Sequence, residues 1–186
     1  MKVLLIDFYD SFTFLIAHYI ESCGAEVEVV EDKKVVLAEI DRFDAIVFSP
    51  GPGLPKETQS MFKVLVAYAS SKKILGICLG MQGIAEYFGD KLYNQVQVKH
   101  GVSEKINILN STTLFKNLPS EFQVGLYHSW AVQLSNLSEL KPIAVSENAV
   151  LMALEHSDYS IYGVQFHPES ILTENGKEIL KNFLLL

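Results

Sequence analysis

The chain has 186 residues, 49% of them apolar and 20% charged, with 15 basic against 22 acidic side chains and a formal net charge of −7. That length fits one compact domain over residues 1–186; the apolar share excludes a disordered chain, and two cysteines are too few for a disulfide scaffold. An acidic chain without a Lys/Arg stripe argues against a nucleic-acid partner, because such binding rests on phosphate neutralisation.

The first half alternates strand and helix patterns. Residues 2–7 read as a buried strand, and Asp7 and Asp10 break the apolar start too early for a signal peptide. Residues 12–22 read as a helix ended by Gly24. Residues 26–30 and 45–49 are further strands, the latter stopped by Pro50-Gly51-Pro52-Gly53. Residues 57–69 carry Met61, Leu65 and Tyr68 at helical spacing. Residues 74–78 form a fourth strand, followed after Gly80 by a helix to Phe88. This alternation implies an α/β fold, a mostly parallel central sheet flanked by helices. The second half differs: short β-like runs at 95–98, 105–109, 123–126, 143–146, 150–155 and 161–165 suggest antiparallel additions to the sheet edge or a small second sheet, before a closing helix over 175–186. No stretch approaches the ~20 apolar residues of a membrane helix, so no membrane partner is expected and the cytoplasm is the default location.

Three segments carry chemistry. In Gly76-Ile77-Cys78-Leu79-Gly80-Met81-Gln82 an apolar strand runs into a small-x-Cys-x-small turn and then a helix, the layout of a nucleophile elbow. A lone cysteine at a strand end is usually inert filler; Gly76 and Gly80 change the balance, because backbone must approach closely on both sides of a strained residue. The helix N-terminus favours a thiolate at Cys78, and the Leu79 amide would point at an oxyanion formed on a substrate carbonyl. Cys23 lacks such a frame and reads as structural.

A cysteine nucleophile needs a base, and a base needs an acceptor that orients it. His167-Pro168-Glu169 follows the last strand pattern, and in extended backbone residues two apart project to one side, so Glu169 can hold one imidazole nitrogen while the other faces Cys78. Taken alone, His-x-Glu is more often a solvated loop. His18 falls in a helix and His156 in a polar turn, while His100 and His128 fall in loops where ligand contact is possible. The Pro50-Gly51-Pro52-Gly53 loop lies at the carboxyl edge of the sheet, where open α/β folds place ligands, and its Gly51 amide could be a second oxyanion donor. It is no phosphate cradle, since the glycine-rich phosphate patterns are absent.

Together, Gly76–Gln82 and Gly163-Val164-Gln165-Phe166-His167-Pro168-Glu169-Ser170 resemble the nucleophile and base motifs of the class I (triad-type) glutamine amidotransferases, and the match spans nearly the whole chain in the right order. Asp10-Ser11-Phe12-Thr13, Ser49–Gly53 and Tyr127-His128-Ser129 resemble one branch, the amidotransferase subunits of anthranilate synthase and aminodeoxychorismate (para-aminobenzoate) synthase. The resemblance implies a flavodoxin-like fold and a Cys78, His167 and Glu169 triad. It implies an oxyanion site at the Gly51 and Leu79 amides, glutamine contacts from Gly51, Gly53, Leu79, Gln82, Ser129 and Trp130, and neither metal nor cofactor. The substrate would be L-glutamine, and ammonia would pass to a chorismate-using synthase on a separate chain. Met81 stands where the branch usually has His, Trp130 where it has Leu, Leu15 where it has Asn, Gln59 where it has Gly, and Asp90 within a usual Gly-Gly pair. Competing readings are the amidotransferase of another pathway, a stand-alone γ-glutamyl hydrolase, a binding-only subunit and a flavin binder, the last because the first half alone fits flavodoxin topology.

Overall fold

The computed structural model describes residues 1–110 and 112–186. The first half runs β1 (Lys2–Asp7), α1 (Thr13–Ser22), β2 (Glu26–Glu31), β3 (Ala45–Phe48), α2 (Met61–Tyr68), β4 (Lys73–Ile77) and α3 (Leu79–Tyr87). The second half runs β5 (Lys91–Ile108), β6 (Glu121–Gln133), β7 (Leu140–Ser146), β8 (Leu151–His156), β9 (Ile161–Val164) and α4 (Gly176–Leu185). All the described strands join one sheet in the order β2-β1-β3-β4-β9-β8-β7-β5-β6. Of the two arrangements open for the second half, edge addition holds.

The parallel part is β2-β1-β3-β4-β9, and the antiparallel part runs from β9 through β8, β7 and β5 to β6. β9 departs from the other second-half strands: it lies parallel to β4, with Gly76 opposite Gly163. That insertion brings the chain after β9 to the same sheet edge as the turn after β4.

The inner parallel strands β1, β3 and β4 are apolar on both faces because helices cover both. Val3, Leu5, Val47, Leu75 and Ile77 pack with Ile16 and Ile20 of α1 and Leu180 and Phe183 of α4. Their neighbours Leu4, Ile6, Ile46, Phe48 and Ile74 pack with Met61 and Leu65 of α2 and Ile84 of α3. Period-two alternation therefore divides each strand between two cores.

Several boundaries differ from expectation. The helix expected over 57–69 is shorter: residues Pro55–Glu57 form a separate 3-10 turn, and α2 begins at Met61. The buried Asp32 carboxylate decides that start, accepting hydrogen bonds from the Gln59 and Ser60 amides at 2.8 Å each and from the Ser60 hydroxyl at 2.7 Å. Two of the expected short runs, 95–98 and 105–109, merge into the long β5, which absorbs register shifts between Asn94 and Lys99 and between His100 and Val102. His100 and His128 consequently lie on strands, paired near each other, and not in loops. His156 closes β8 and is buried, its Nδ1 accepting from the Asp158 and Tyr159 amides. Among the described residues no helix is long and apolar enough to cross a membrane.

Replacing Asp32 with Ala would leave two backbone donors and a hydroxyl without their acceptor, in a place mostly closed to water. The expected loss is about 1–3 kcal/mol, read as a lower urea midpoint at unchanged slope.

Candidate active site

The carboxyl ends of β1, β3, β4 and β9 meet at one edge, the position where open α/β sheets gather ligands. Four connections build the site there. After β1, Asp7 accepts from the Tyr9 amide at 2.8 Å and the Thr13 hydroxyl at 2.7 Å, and Asp10 accepts from the Phe12 amide at 2.8 Å, so the loop to α1 is folded on its own side chains. After β3, the Ser49 hydroxyl accepts from the Phe8 amide at 2.9 Å, tying this loop to the first.

The third connection is a single residue. β4 ends at Ile77 and α3 begins at Leu79, before Gly80 and so earlier than expected, leaving Cys78 between them at φ 52° and ψ −102°. Positive φ is costly for a residue with a Cβ. It is held here by the Cys78 amide bonding to the Val164 carbonyl at 2.8 Å and by the Cys78 carbonyl accepting from the Gln82 amide at 3.1 Å. The turn is so tight that a Cβ on Gly76 would collide with the backbone of Gly80, and one on Gly80 would lie 2.6 Å from Phe48 Cβ. These contacts are the physical content of the glycine frame legible in the sequence. Cys78 is 7% exposed, enough for its sulfur to reach the pocket described below.

The fourth connection follows β9. His167 and Glu169 are not in extended backbone as expected; they sit in a turn closed by the Ser170 amide on the His167 carbonyl at 3.1 Å. The turn still brings them together, with His167 Nδ1 and Glu169 Oε1 2.7 Å apart and both residues buried. The His167 carbonyl also accepts from the Thr173 hydroxyl at 2.6 Å, and its amide donates to the Gly125 carbonyl at 3.1 Å. The imidazole is walled by Tyr127, at 4.8 Å between ring centroids, and by Phe12 at 5.9 Å. Its Nε2 is buried with no hydrogen-bond partner among the described groups. Burial opposes a charge on this ring, but Cys78 and Glu169 beside it outweigh burial and raise its pKa to about 10. His128 behaves oppositely: burial lowers its pKa and keeps it neutral.

Cys78 and His167 open on one pocket of about 560 Å³, whose walls include Tyr9 to Phe12, Pro50 to Pro52, His100 and Tyr127. Gly51 lines it, packed so closely that a Cβ there would lie 2.7 Å from Phe8 and 2.8 Å from the Leu79 side chain. Among the described residues the Gly51 and Leu79 amides donate to no protein group. Neither amide is committed to a protein acceptor, and that of Leu79 lies at the N-terminus of α3. The other residues implied by the resemblance do not line this pocket. Gly53, at φ 78°, lies on the exposed side of its loop beside Glu57, and Ser129 and Trp130 are half-buried on β6. Gln82 points inward: its side-chain amide donates to the Trp130 carbonyl at 3.0 Å and to Gln165 Oε1 at 3.1 Å.

Sequence reasoning missed Gln165, which is fully buried and donates to Cys78 Sγ at 3.5 Å. It also missed Tyr127 as the ring against His167. Gln165 sits two residues before His167 in the Gly163–Ser170 segment, but spacing alone does not say where its side chain goes. Of the unusual positions, Met81 is fully buried against Gly163, and Asp90 is buried and structural, accepting from the Ser135 amide at 2.7 Å and the Ser138 hydroxyl at 2.6 Å.

Residues 4–186 match the family described as glutamine amidotransferase class-I. The chain is 40% identical to aminodeoxychorismate synthase component 2 of Escherichia coli, covering 98% of each. It is 38% identical to anthranilate synthase component 2 of Lactococcus lactis, covering 98% of this chain and 93% of that one. In other relatives the matching stretch is only 25% or 32% of a longer protein. The fold resembles the crystal structure of a glutamine amidotransferase from Thermotoga maritima, with a TM-score of 0.82 at 15% identity over 99% of this chain and 96% of that chain.

The raised His167 pKa has a measurable consequence. Its contribution to stability is complete below the unfolded value of 6.5 and is lost as pH rises through about 10. The difference in melting temperature between the unaltered chain and His167→Gln is therefore expected to be largest in mild acid and to shrink steadily into the alkaline range, as followed by calorimetry.

Proposed function

The chain belongs to the class I glutamine amidotransferase family, and we propose that residues 1–186 form one domain that hydrolyses glutamine and delivers ammonia to a chorismate-using synthase subunit on a separate chain. The observation that carries the chemistry is the buried His167–Glu169 pair at 2.7 Å, with the free imidazole nitrogen beside a strained cysteine. The relatives at about 40% identity, named as the second components of anthranilate and aminodeoxychorismate synthases, support the pathway.

In this reading the Cys78 sulfur, as a thiolate beside imidazolium, attacks the side-chain carboxamide carbon of glutamine. The carbonyl electrons move onto oxygen, where the Gly51 and Leu79 amides stabilise the oxyanion. The C–N bond then breaks as His167 protonates the departing nitrogen, releasing ammonia and leaving a γ-glutamyl thioester. Water, deprotonated by His167, attacks the thioester; the C–S bond breaks and glutamate leaves. Glu169 keeps the imidazole oriented and offsets its charge throughout. Ammonia is neutral and small, so it can pass through a protected route to a partner that adds it to chorismate.

Cys78→Ala is expected to reduce glutamate release about 10⁴-fold or more while leaving co-purification with the synthase chain intact. Glu169→Gln is expected to cost about 10²–10⁴-fold in kcat with a smaller change in KM, since it alters the base and not the pocket. Turnover near the unaltered level in Cys78→Ala would overturn the glutaminase reading. Pairing the chain with candidate chorismate-using subunits and identifying the aminated product by mass and fluorescence tests the pathway, and formation of neither anthranilate nor aminodeoxychorismate would discard it.

A further inference from the structure

We infer that Gln165 is a positioning residue for the nucleophile, stabilising the Cys78 thiolate through a side-chain hydrogen bond whose direction is set by Gln82 and the Trp130 carbonyl. The inference rests on the reading of Cys78 as the nucleophile.

The direction follows from donor and acceptor chemistry. A backbone carbonyl can only accept, so the Gln82 side-chain group 3.0 Å from the Trp130 oxygen is its NH₂. That same NH₂ lies 3.1 Å from the Gln165 side chain, which must turn its own oxygen toward it, since two NH₂ groups cannot bond each other. The Gln165 NH₂ is left facing Cys78 Sγ at 3.5 Å. Gln165 is fully buried and Gln82 nearly so, so water cannot substitute for either side chain. A thiol is a weak acceptor and a thiolate a strong one, so this bond strengthens when Cys78 loses its proton. His167 supplies the positive charge on one side of the sulfur, and Gln165 supplies a neutral fixed donor on another. Because the chain of amides begins on the β6 backbone, displacement of Trp130 would loosen the donor that faces the sulfur.

The test is an ultraviolet titration of the Cys78-dependent thiolate absorbance, using Cys78→Ala as the blank, in the unaltered chain, Gln165→Met and Gln82→Met. The titratable groups around the sulfur are His167 with Glu169 behind it, and Tyr9, Asp10, His100 and Tyr127 across the pocket; none is altered in these variants. Loss of one charge-assisted bond is expected to change the thiol–thiolate balance about tenfold, moving the Gln165→Met midpoint up by about one pH unit. Gln82→Met keeps the donor but frees its orientation, and a smaller upward shift is expected. Thermal melts establish that each variant is folded. Should Gln165→Met fail to fold, the Gln82→Met midpoint decides, an upward shift supporting the inference and an unchanged one overturning it. Unchanged midpoints in both folded variants overturn it as well. The titration uses neither glutamine nor a synthase, so a chain that releases no glutamate with its partner would count against the glutaminase reading while leaving this measurement intact.

Discussion

The site depends on the backbone of one residue. Cys78 stands at φ 52° between a strand that ends at Ile77 and a helix that starts at Leu79. A reversal this abrupt puts the sulfur at the helix N-terminus, on the pocket at the sheet edge, with the Leu79 amide next along the chain. The strained conformation persists because its surroundings over-determine it. The Val164 carbonyl holds the Cys78 amide, and Gly76 and Gly80 let backbone close to distances no side chain would allow. The position of the sulfur at the helix N-terminus and the strain of its backbone thus share one cause.

The His167 turn is organised differently. Here side chains and carbonyls from β6 and the segment before α4 do the holding: the Gly125 carbonyl takes the His167 amide, the Thr173 hydroxyl bonds the His167 carbonyl, and the Gly125 amide bonds the Thr173 hydroxyl at 2.9 Å. Gly176, opening α4, packs directly on the Pro168 carbonyl, where a Cβ would collide. The imidazole is therefore fixed by the antiparallel half of the sheet and by α4, while the cysteine is fixed by the parallel half. β9 joins the two, pairing with β4 on one side and β8 on the other. Its place between them is why Cys78 and His167, far apart in sequence, share one pocket.

The legibility of the sequence varies from element to element for physical reasons. The parallel strands and α1 were readable because each is a continuous apolar or amphipathic segment with a local stop, such as Gly24 at φ 92° after α1. α2 was misread at its start because the deciding group, Asp32, lies 28 positions away from Ser60. β5 was read as two fragments because its register shifts between Asn94 and Lys99 and between His100 and Val102 interrupt the alternation between the 95–98 and 105–109 runs, and its continuity comes from pairing with β6. Within the pocket, Gly51, Cys78 and His167 come together as the motifs suggested, whereas Gln82 turns inward to Trp130 and Gln165.

What the sequence determined by itself is the chemistry on offer: a cysteine framed by small residues at a strand-to-helix turn, a His-Pro-Glu after the last strand, and glycines where backbone must approach closely. These are local steric and electronic facts, legible wherever neighbouring residues dictate them. Only the tertiary structure decided that β9 inserts beside β4, that the turn carrying His167 shares a pocket with Cys78, and that a buried glutamine reaches the sulfur. Those outcomes rest on contacts between residues far apart in the chain, selected by the burial of two cores at once, and no local pattern encodes them.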